Sequence, residues 1–233
     1  MHAAAEPERR LCVMDTSIAI IGAGRVGGNL GGRLADAGYR VRLGVRRPAE
    51  ATELRQRFDG RAEVVDTVRA AAGADVIFLC VPAAHAVAAV LALGGVDGTI
   101  LVDCTNPVDW KDGPVLASPP EGSMAQAIAA AVPDARVIKG FNTFGAEIHG
   151  DPNLGGVAAD VLLAGDDGPA KQRVSEIAAA IGFAPIDAGP LRNAGLLEAL
   201  AVLWIHLATS GGLDREMAFK LLRRGQLAAT PPD

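Results

Sequence analysis

The chain has 233 residues, half of them hydrophobic and only 4% aromatic, and carries 22 basic against 27 acidic side chains. That length suits one large α/β domain, or one domain plus a small lobe, with a core of Ala, Val, Leu and Ile as in parallel sheets buried on both faces. A net charge of −5 argues against nucleic acid or an anionic membrane as the main partner, so any anion site must be local.

Residues 1–15 hold charges and no hydrophobic signal core, and are expected to form a flexible arm that includes Cys12. Three scattered cysteines make neither a disulfide framework nor a zinc site, and a reducing cytoplasm fits them. Cys80 and Cys104 fall at the ends of expected buried strands. No apolar run approaches the roughly 18 residues that span a membrane.

Residues 17–34, SIAIIGAGRVGGNLGGRL, hold a short aliphatic strand, a glycine turn and the start of a helix. Gly22-Ala23-Gly24-Arg25-Val26-Gly27 is the G-x-G-x-x-G pattern with a strand before it and a helix after it. Gly22 permits the tight turn, Gly24 leaves room for a diphosphate, and Gly27 lets helix and strand approach. The free N–H groups of the helix start then bind the phosphates.

A second strand is expected over 40–45. Where an NAD site places a carboxylate to hold the ribose 2′-OH, the chain reads Gly44-Val45-Arg46-Arg47-Pro48. Two guanidinium groups there suit a 2′-phosphate, which points to NADP(H).

A helix over 49–58 and a strand near 62–65 follow. The run 75–80, DVIFLC, reads as a buried strand ending in Val81-Pro82-Ala83-Ala84-His85. The small residues Val81, Pro82 and Ala83 are expected beside the nicotinamide ribose, with His85 behind them at a helix start. The strand over 99–104 closes in Thr105-Asn106-Pro107, whose polar groups could meet a ribose hydroxyl or the carboxamide. Residues 110–122, with three prolines, read as an irregular surface loop.

A helix over 123–131 leads to a strand over 136–140 that ends in Phe141-Asn142-Thr143. Asn142 and Thr143 are expected where a nicotinamide ring or second substrate sits. After a glycine-rich loop over 151–156, strands over 160–164 and 184–187 flank a helix over 169–181. Asp166 and Asp167 are expected to cap that helix. Residues 191–210 read as a helix apolar nearly all round, expected in a subunit interface together with Trp204 and His206. A basic helix over 215–224 and a Pro231-Pro232 tail end the chain.

The segments IGAGRVGGNLGGRLADAGYRV, LGVRR, FLCVPAAHA, VDCTNPV, KGFNT, LLAGDD, IDAGPLRNAGLLEAL and AFKLLRR, in that order, resemble the coenzyme F420-dependent NADP oxidoreductase family. That family is also found as the cytosolic NADPH-binding domain of ferric reductases. The resemblance runs from about Ser17 to Arg224. It implies a Rossmann-type, doubly wound, mostly parallel α/β sheet, extended at the C-terminus by extra strands and helices. It also implies a division into an NADP-binding domain over 16–190 and a helical segment over 191–233, with a homodimer or higher homo-oligomer.

The activity implied is hydride transfer between NADP(H) and a deazaflavin, coenzyme F420, or a related flavin. The phosphate loop of the family maps onto Gly22–Gly27 and its 2′-phosphate arginine onto Arg46. Its nicotinamide-side loops map onto Val81–His85 and Phe141–Thr143. Two other readings stand beside it: NADPH reduction of a small carbonyl or imine, and an NADP(H)-binding module without turnover. The carbonyl reading needs a proton donor from among Asn142, Thr143, His85, His206 or Lys139.

Overall fold

In the computed structural model residues 16–224 are described; the arm expected over 1–15, Cys12 and the Pro231-Pro232 tail lie outside them. The first unit runs β1 (Ser17–Ile21), α1 (Arg25–Asp36), β2 (Arg40–Gly44), α2 (Thr52–Phe58) and β3 (Ala62–Val65). It continues with α3 (Thr67–Ala71), β4 (Val76–Leu79), α4 (Ala86–Leu91) and β5 (Ile100–Asp103). A hairpin of β6 (Val108–Trp110) and β7 (Pro114–Leu116) precedes α5 (Met124–Ala131), β8 (Arg136–Lys139) and α6 (Ala146–Gly150). A second hairpin, β9 (Asn153–Leu154) with β10 (Val157–Ala158), leads to β11 (Asp160–Gly165), α7 (Gly168–Ala180), β12 (Ala184–Asp187) and α8 (Ala194–Thr209).

Eight strands form one sheet in the order β3-β2-β1-β4-β5-β8-β11-β12. Every pairing from β3 to β8 is parallel, β11 runs antiparallel to β8, and β12 is parallel to β11. This is the expected doubly wound sheet with its C-terminal extension. Strand order reverses between β1 and β4, so the loops leaving them diverge and open a crevice at the carboxyl edge.

The pleat sorts the aliphatic runs onto two covered faces. Ile18 and Ile20 pack with Leu30 and Leu34 of α1, and with Phe78 and Val174. Ala19 and Ile21 pack on the opposite face with Ala70, Val90 and Ile128. Burial on both faces is why these strands carry no polar alternation. Each such fully buried aliphatic side chain contributes about 1.5–3 kcal/mol.

Several local expectations change. The span read as an irregular loop is a hairpin, because Asp112 and Gly113 both take positive φ and turn the chain between β6 and β7. The glycine-rich loop likewise contains the β9–β10 hairpin. Helices α3 and α6 are additions: Asp66 caps α3 by accepting from Arg69 N at 2.8 Å. Asp167 does cap α7, accepting from Ala170 N at 2.8 Å, whereas Asp166 accepts from Leu191 N at 2.9 Å and so anchors the approach to α8.

The basic helix expected over 215–224 does not form. The run is used in tertiary contacts instead: Leu221 N and the Lys220 side-chain amine donate to the Asp160 carboxylate, and Met217 O accepts from Trp204 Nε1 at 3.0 Å. The membrane expectation also needs correcting. By length and composition alone Leu191–Thr209 could cross a bilayer. In the fold it lies along β7 and α5 with Glu198 fully buried in an ionic cluster.

Candidate functional site

The turn between β1 and α1 is shaped by contacts that forbid side chains. Gly22 has φ +96°, and a Cβ there would lie 2.7 Å from Cys80 O. At Gly27 a Cβ would sit 2.0 Å from Gly22 O and 2.9 Å from Ile20 Cγ2. Gly24 is different: a Cβ there would meet nothing within 4 Å. The first two glycines close the turn, and the third keeps space above it clear.

Gly24 is also the N-cap of α1, with no side-chain cap and no acidic residue in the first turn. The helix therefore presents free N–H groups and the positive end of its dipole to that space. This cradle fits a dinucleotide diphosphate. Ala23 packs on the core beneath it, Val26 is half-buried, and Arg25 is exposed and paired with Glu147.

Gly22 N donates to Gly44 O at 3.0 Å, which brings the loop after β2 beside the cradle. The two arginines there are not equivalent. Arg47 is held by Glu50 at 2.9 Å, while exposed Arg46 forms no hydrogen bond or ion pair with the described residues. Arg46 is the guanidinium available to a ligand.

Across the switch point, Pro82 and Ala83 line a pocket of about 420 Å³ with Asn106, Pro107, Ala117 and Met124. Val81 is half-buried against the core, and His85 is exposed and outside the pocket lining. A larger recess of about 500 Å³ lies at the amino ends of β1–β3, lined by Ser17, Arg40 and Arg61. It is on the wrong edge of the sheet for ligand chemistry.

The residues after β5 and β8 are turned largely inward. Asn106 Nδ2 donates to Asn142 O at 2.8 Å, and Asn142 Nδ2 donates to Asn106 Oδ1 at 2.9 Å and Leu197 O at 3.1 Å. Asn142 and Thr143 are both buried. Asn142 thus fastens the crevice floor to α8, and only Asn106 of this pair also lines the pocket.

Phe141 makes that inward turn possible. It holds φ +56°, a left-handed conformation uncommon for a non-glycine residue that costs on the order of 1–3 kcal/mol. Its ring meets Phe78 and Phe183 edge-on, each at 5.4 Å, and its carbonyl faces His149 Nε2 at 2.9 Å.

His149 Nδ1 also faces a carbonyl, Gly145 O, at 2.9 Å, and a neutral ring can donate to only one of the two. Burial holds the imidazole below its ordinary 6.5 and outweighs the two carbonyls, which favour the cation. The unfolded chain therefore takes up this proton first as pH falls. The contribution of His149 to stability is present above about 6.5 and is lost below it. Thermal unfolding should show a lower melting temperature at pH 5 than at pH 7, and His149→Gln should shrink that difference.

Beneath the crevice lies a cluster absent from the sequence reading. Lys139 Nζ donates to Asp103 Oδ2 at 2.8 Å, Glu198 Oε1 at 2.8 Å and Thr105 O at 2.5 Å. All three charged side chains have 0% exposure. Asp103 Oδ1 accepts from Thr105 N at 2.9 Å, so the ion pair clamps both sides of the Thr105 backbone. The sequence offers Lys139 only as one of five candidate proton donors. The available signal was three lone charges inside apolar runs: Asp103 after ILV, Lys139 after RVI and Glu198 within GLLEALAVL.

The family described as NADP oxidoreductase, coenzyme F420-dependent, matches residues 17–107. A crystal structure of a provisionally named F420-dependent NADP-reductase from Arthrobacter sp. FB24 is 32% identical, with a TM-score of 0.80 over 89% of this chain and 99% of its own. The chain belongs to the F420-dependent NADP oxidoreductase family. Rat metalloreductase STEAP3 is similar as well, 32% identical over 184 residues, or 78% of this chain and 36% of that protein. This family member spans about a third of the length of the curated relatives it matches. The reductive aminase of Aspergillus terreus, solved with NADPH and ethyl levulinate, has 19% identity and a TM-score of 0.59 over 81% of this chain and 59% of its own. That likeness is one of fold. The glycine cradle and the loops after β2 and β4 all fall within the matched span, whereas Lys139 and Glu198 lie beyond it.

Proposed function

We propose that this family member transfers a hydride between NADP(H) and a deazaflavin, coenzyme F420, or a related flavin. The pocket of about 420 Å³ carries this reading. Its walls are Pro82, Ala83, Pro107, Val108, Ala117 and Met124, and Asn106 is the polar side chain among them. An apolar slot without a charged wall accepts the face of a fused ring and offers nothing to hold a small carboxylate.

When bound, NADPH supplies the hydride. The chain's own part is binding and alignment: the cradle from Gly22 to Gly27 takes the diphosphate, Arg46 the 2′-phosphate, and Val81, Pro82 and Ala83 back the nicotinamide side. Holding donor and acceptor at roughly 3–3.5 Å is most of the catalysis such a transfer needs. The kinship to a metalloreductase supports a second reading, in which the electrons go on to a metal ion. Exposed Leu196 and Leu203, one heptad apart on α8, support a homodimer on that face.

The test is loss of NADPH absorbance with coenzyme F420, FMN, a ferric chelate, or cyclohexanone plus an amine in separate arms. Oxidation with F420 or FMN and none with the ketone is expected; no turnover with either ring system overturns the proposal. Arg46→Ala should weaken NADPH binding roughly 10–150-fold, the loss of charge-assisted bonds worth about 1.5–3 kcal/mol, and leave NADH binding unchanged. Arg47→Ala should change NADPH binding less.

A further inference from the structure

Three buried polar atoms lack a partner among the described residues at one place in the fold: Glu198 Oε2, Thr105 Oγ1 and Asn142 Oδ1. Their residues are exposed by 0%, 3% and 4%. They are linked through the groups around them. Lys139 Nζ joins Glu198 to the Thr105 carbonyl, and Asn142 is fastened to Leu197, the neighbour of Glu198. Two residues connect the cluster to the pocket. Asn106 follows Thr105, and Met124 donates its N–H to Glu198 Oε1 at 2.9 Å; both residues line the pocket.

The charge count of the cluster is unbalanced. Lys139 has three N–H donors and three acceptors, so it is saturated. Two ionised carboxylates against one ammonium would leave a buried net negative charge, with one carboxylate oxygen of Glu198 receiving no donor. A proton on Glu198 Oε2 removes the net charge and makes that oxygen a donor, which leaves it in need of an acceptor. Burial raises the Glu198 pKa, the ammonium of Lys139 opposes it, and the carboxylate of Asp103 raises it again. Asp103 from β5 and Lys139 from β8 are the charged groups that face Glu198, and α5 contributes only the Met124 N–H. The nearby Cys104 thiol is pushed up by burial and stays protonated.

We propose that Glu198 holds the proton consumed in the adjoining pocket and releases it through the Thr105 hydroxyl. This rests on the reading that the pocket takes the hydride acceptor. Reduction there adds one hydride, from the reduced nicotinamide dinucleotide, and one proton. The O–H bond at Glu198 Oε2 breaks, Thr105 Oγ1 accepts a proton from that side and gives its own, through water, to the pocket side lined by the next residue, Asn106, where the acceptor takes up a proton; Glu198 is left as carboxylate. A proton from solvent restores it. The relay requires a water between the two unpartnered oxygens, and buried polar groups without protein partners are commonly served by water.

Infrared difference spectroscopy of the ligand-free protein tests the first half. At pH 7.5 wild type should show the carbonyl stretch of a protonated carboxylic acid, and E198Q should lose it. In turnover with F420 or FMN, E198Q and T105V should each lower kcat roughly 100-fold, with the NADPH KM within twofold of wild type. T105S should restore the rate. Wild-type kcat should fall at alkaline pH, and that fall should vanish in E198Q. Absence of the band overturns the proposal, as does wild-type kcat and pH profile in both E198Q and T105V. NADPH oxidation that is indifferent to Glu198 sinks this inference alone; no oxidation in wild type with any acceptor sinks the functional reading and the relay with it.

Discussion

Replacing Lys139 with methionine should lower the unfolding free energy by about 3–5 kcal/mol, the cost of removing one partner from a buried ion network. Lys139, Asp103 and Glu198 are all at 0% exposure, so no solvent is available to screen the Asp103 carboxylate or to serve the Glu198 carboxyl left behind. The ammonium also satisfies the Thr105 carbonyl, which would lose its donor. The half-exposed pair Arg69–Glu63, at the same 2.8 Å, provides the contrast. Breaking it should cost at most about 1 kcal/mol, because water and salt already weaken the attraction. Urea denaturation of the two variants measures the difference. A loss below about 1 kcal/mol for Lys139→Met would mean that the cluster does not hold the fold together.

Gly24→Val should cost about 1 kcal/mol of stability, as Val is a poorer N-cap than Gly, and weaken NADPH binding at least about 100-fold, or ~2.7 kcal/mol. A Cβ at Gly24 meets no protein atom within 4 Å, and its φ of −72° is open to any L-residue. The added side chain therefore occupies only the space that the helix N-terminus presents to a diphosphate. Gly27→Ala should behave in the opposite way. Its Cβ would stand 2.0 Å from Gly22 O, so the turn itself must shift and stability falls before any ligand is added. Calorimetric titration with NADPH beside thermal melts separates the two. Undiminished binding by Gly24→Val would place the diphosphate elsewhere.

The strands of the large sheet were legible because each is a short aliphatic run bounded by a turn, and parallel burial on both faces demands that composition. Ile18–Ile21 and 76–79 needed no partner to be recognised. The hairpin at β6–β7 carried a readable signal, Asp112-Gly113, that the surrounding prolines masked. The absence of a helix over 215–224 carried none. Whether that basic run coils or stays extended depends on the Asp160 carboxylate, some sixty residues away in sequence.

The candidate site divides along the same line. By itself the sequence determined the cradle, since the glycine spacing works through backbone sterics local to one strand–turn–helix unit. It also placed Arg46 and Arg47 beside that cradle and the small residues after β4 across from it. Tertiary structure alone decided that Asn142 turns toward α8, and that Asp103, Lys139 and Glu198 meet. The physical reason is that charge pairing and burial depend on separation in space. Residues 103, 139 and 198 become neighbours only after β5, β8 and α8 have packed together.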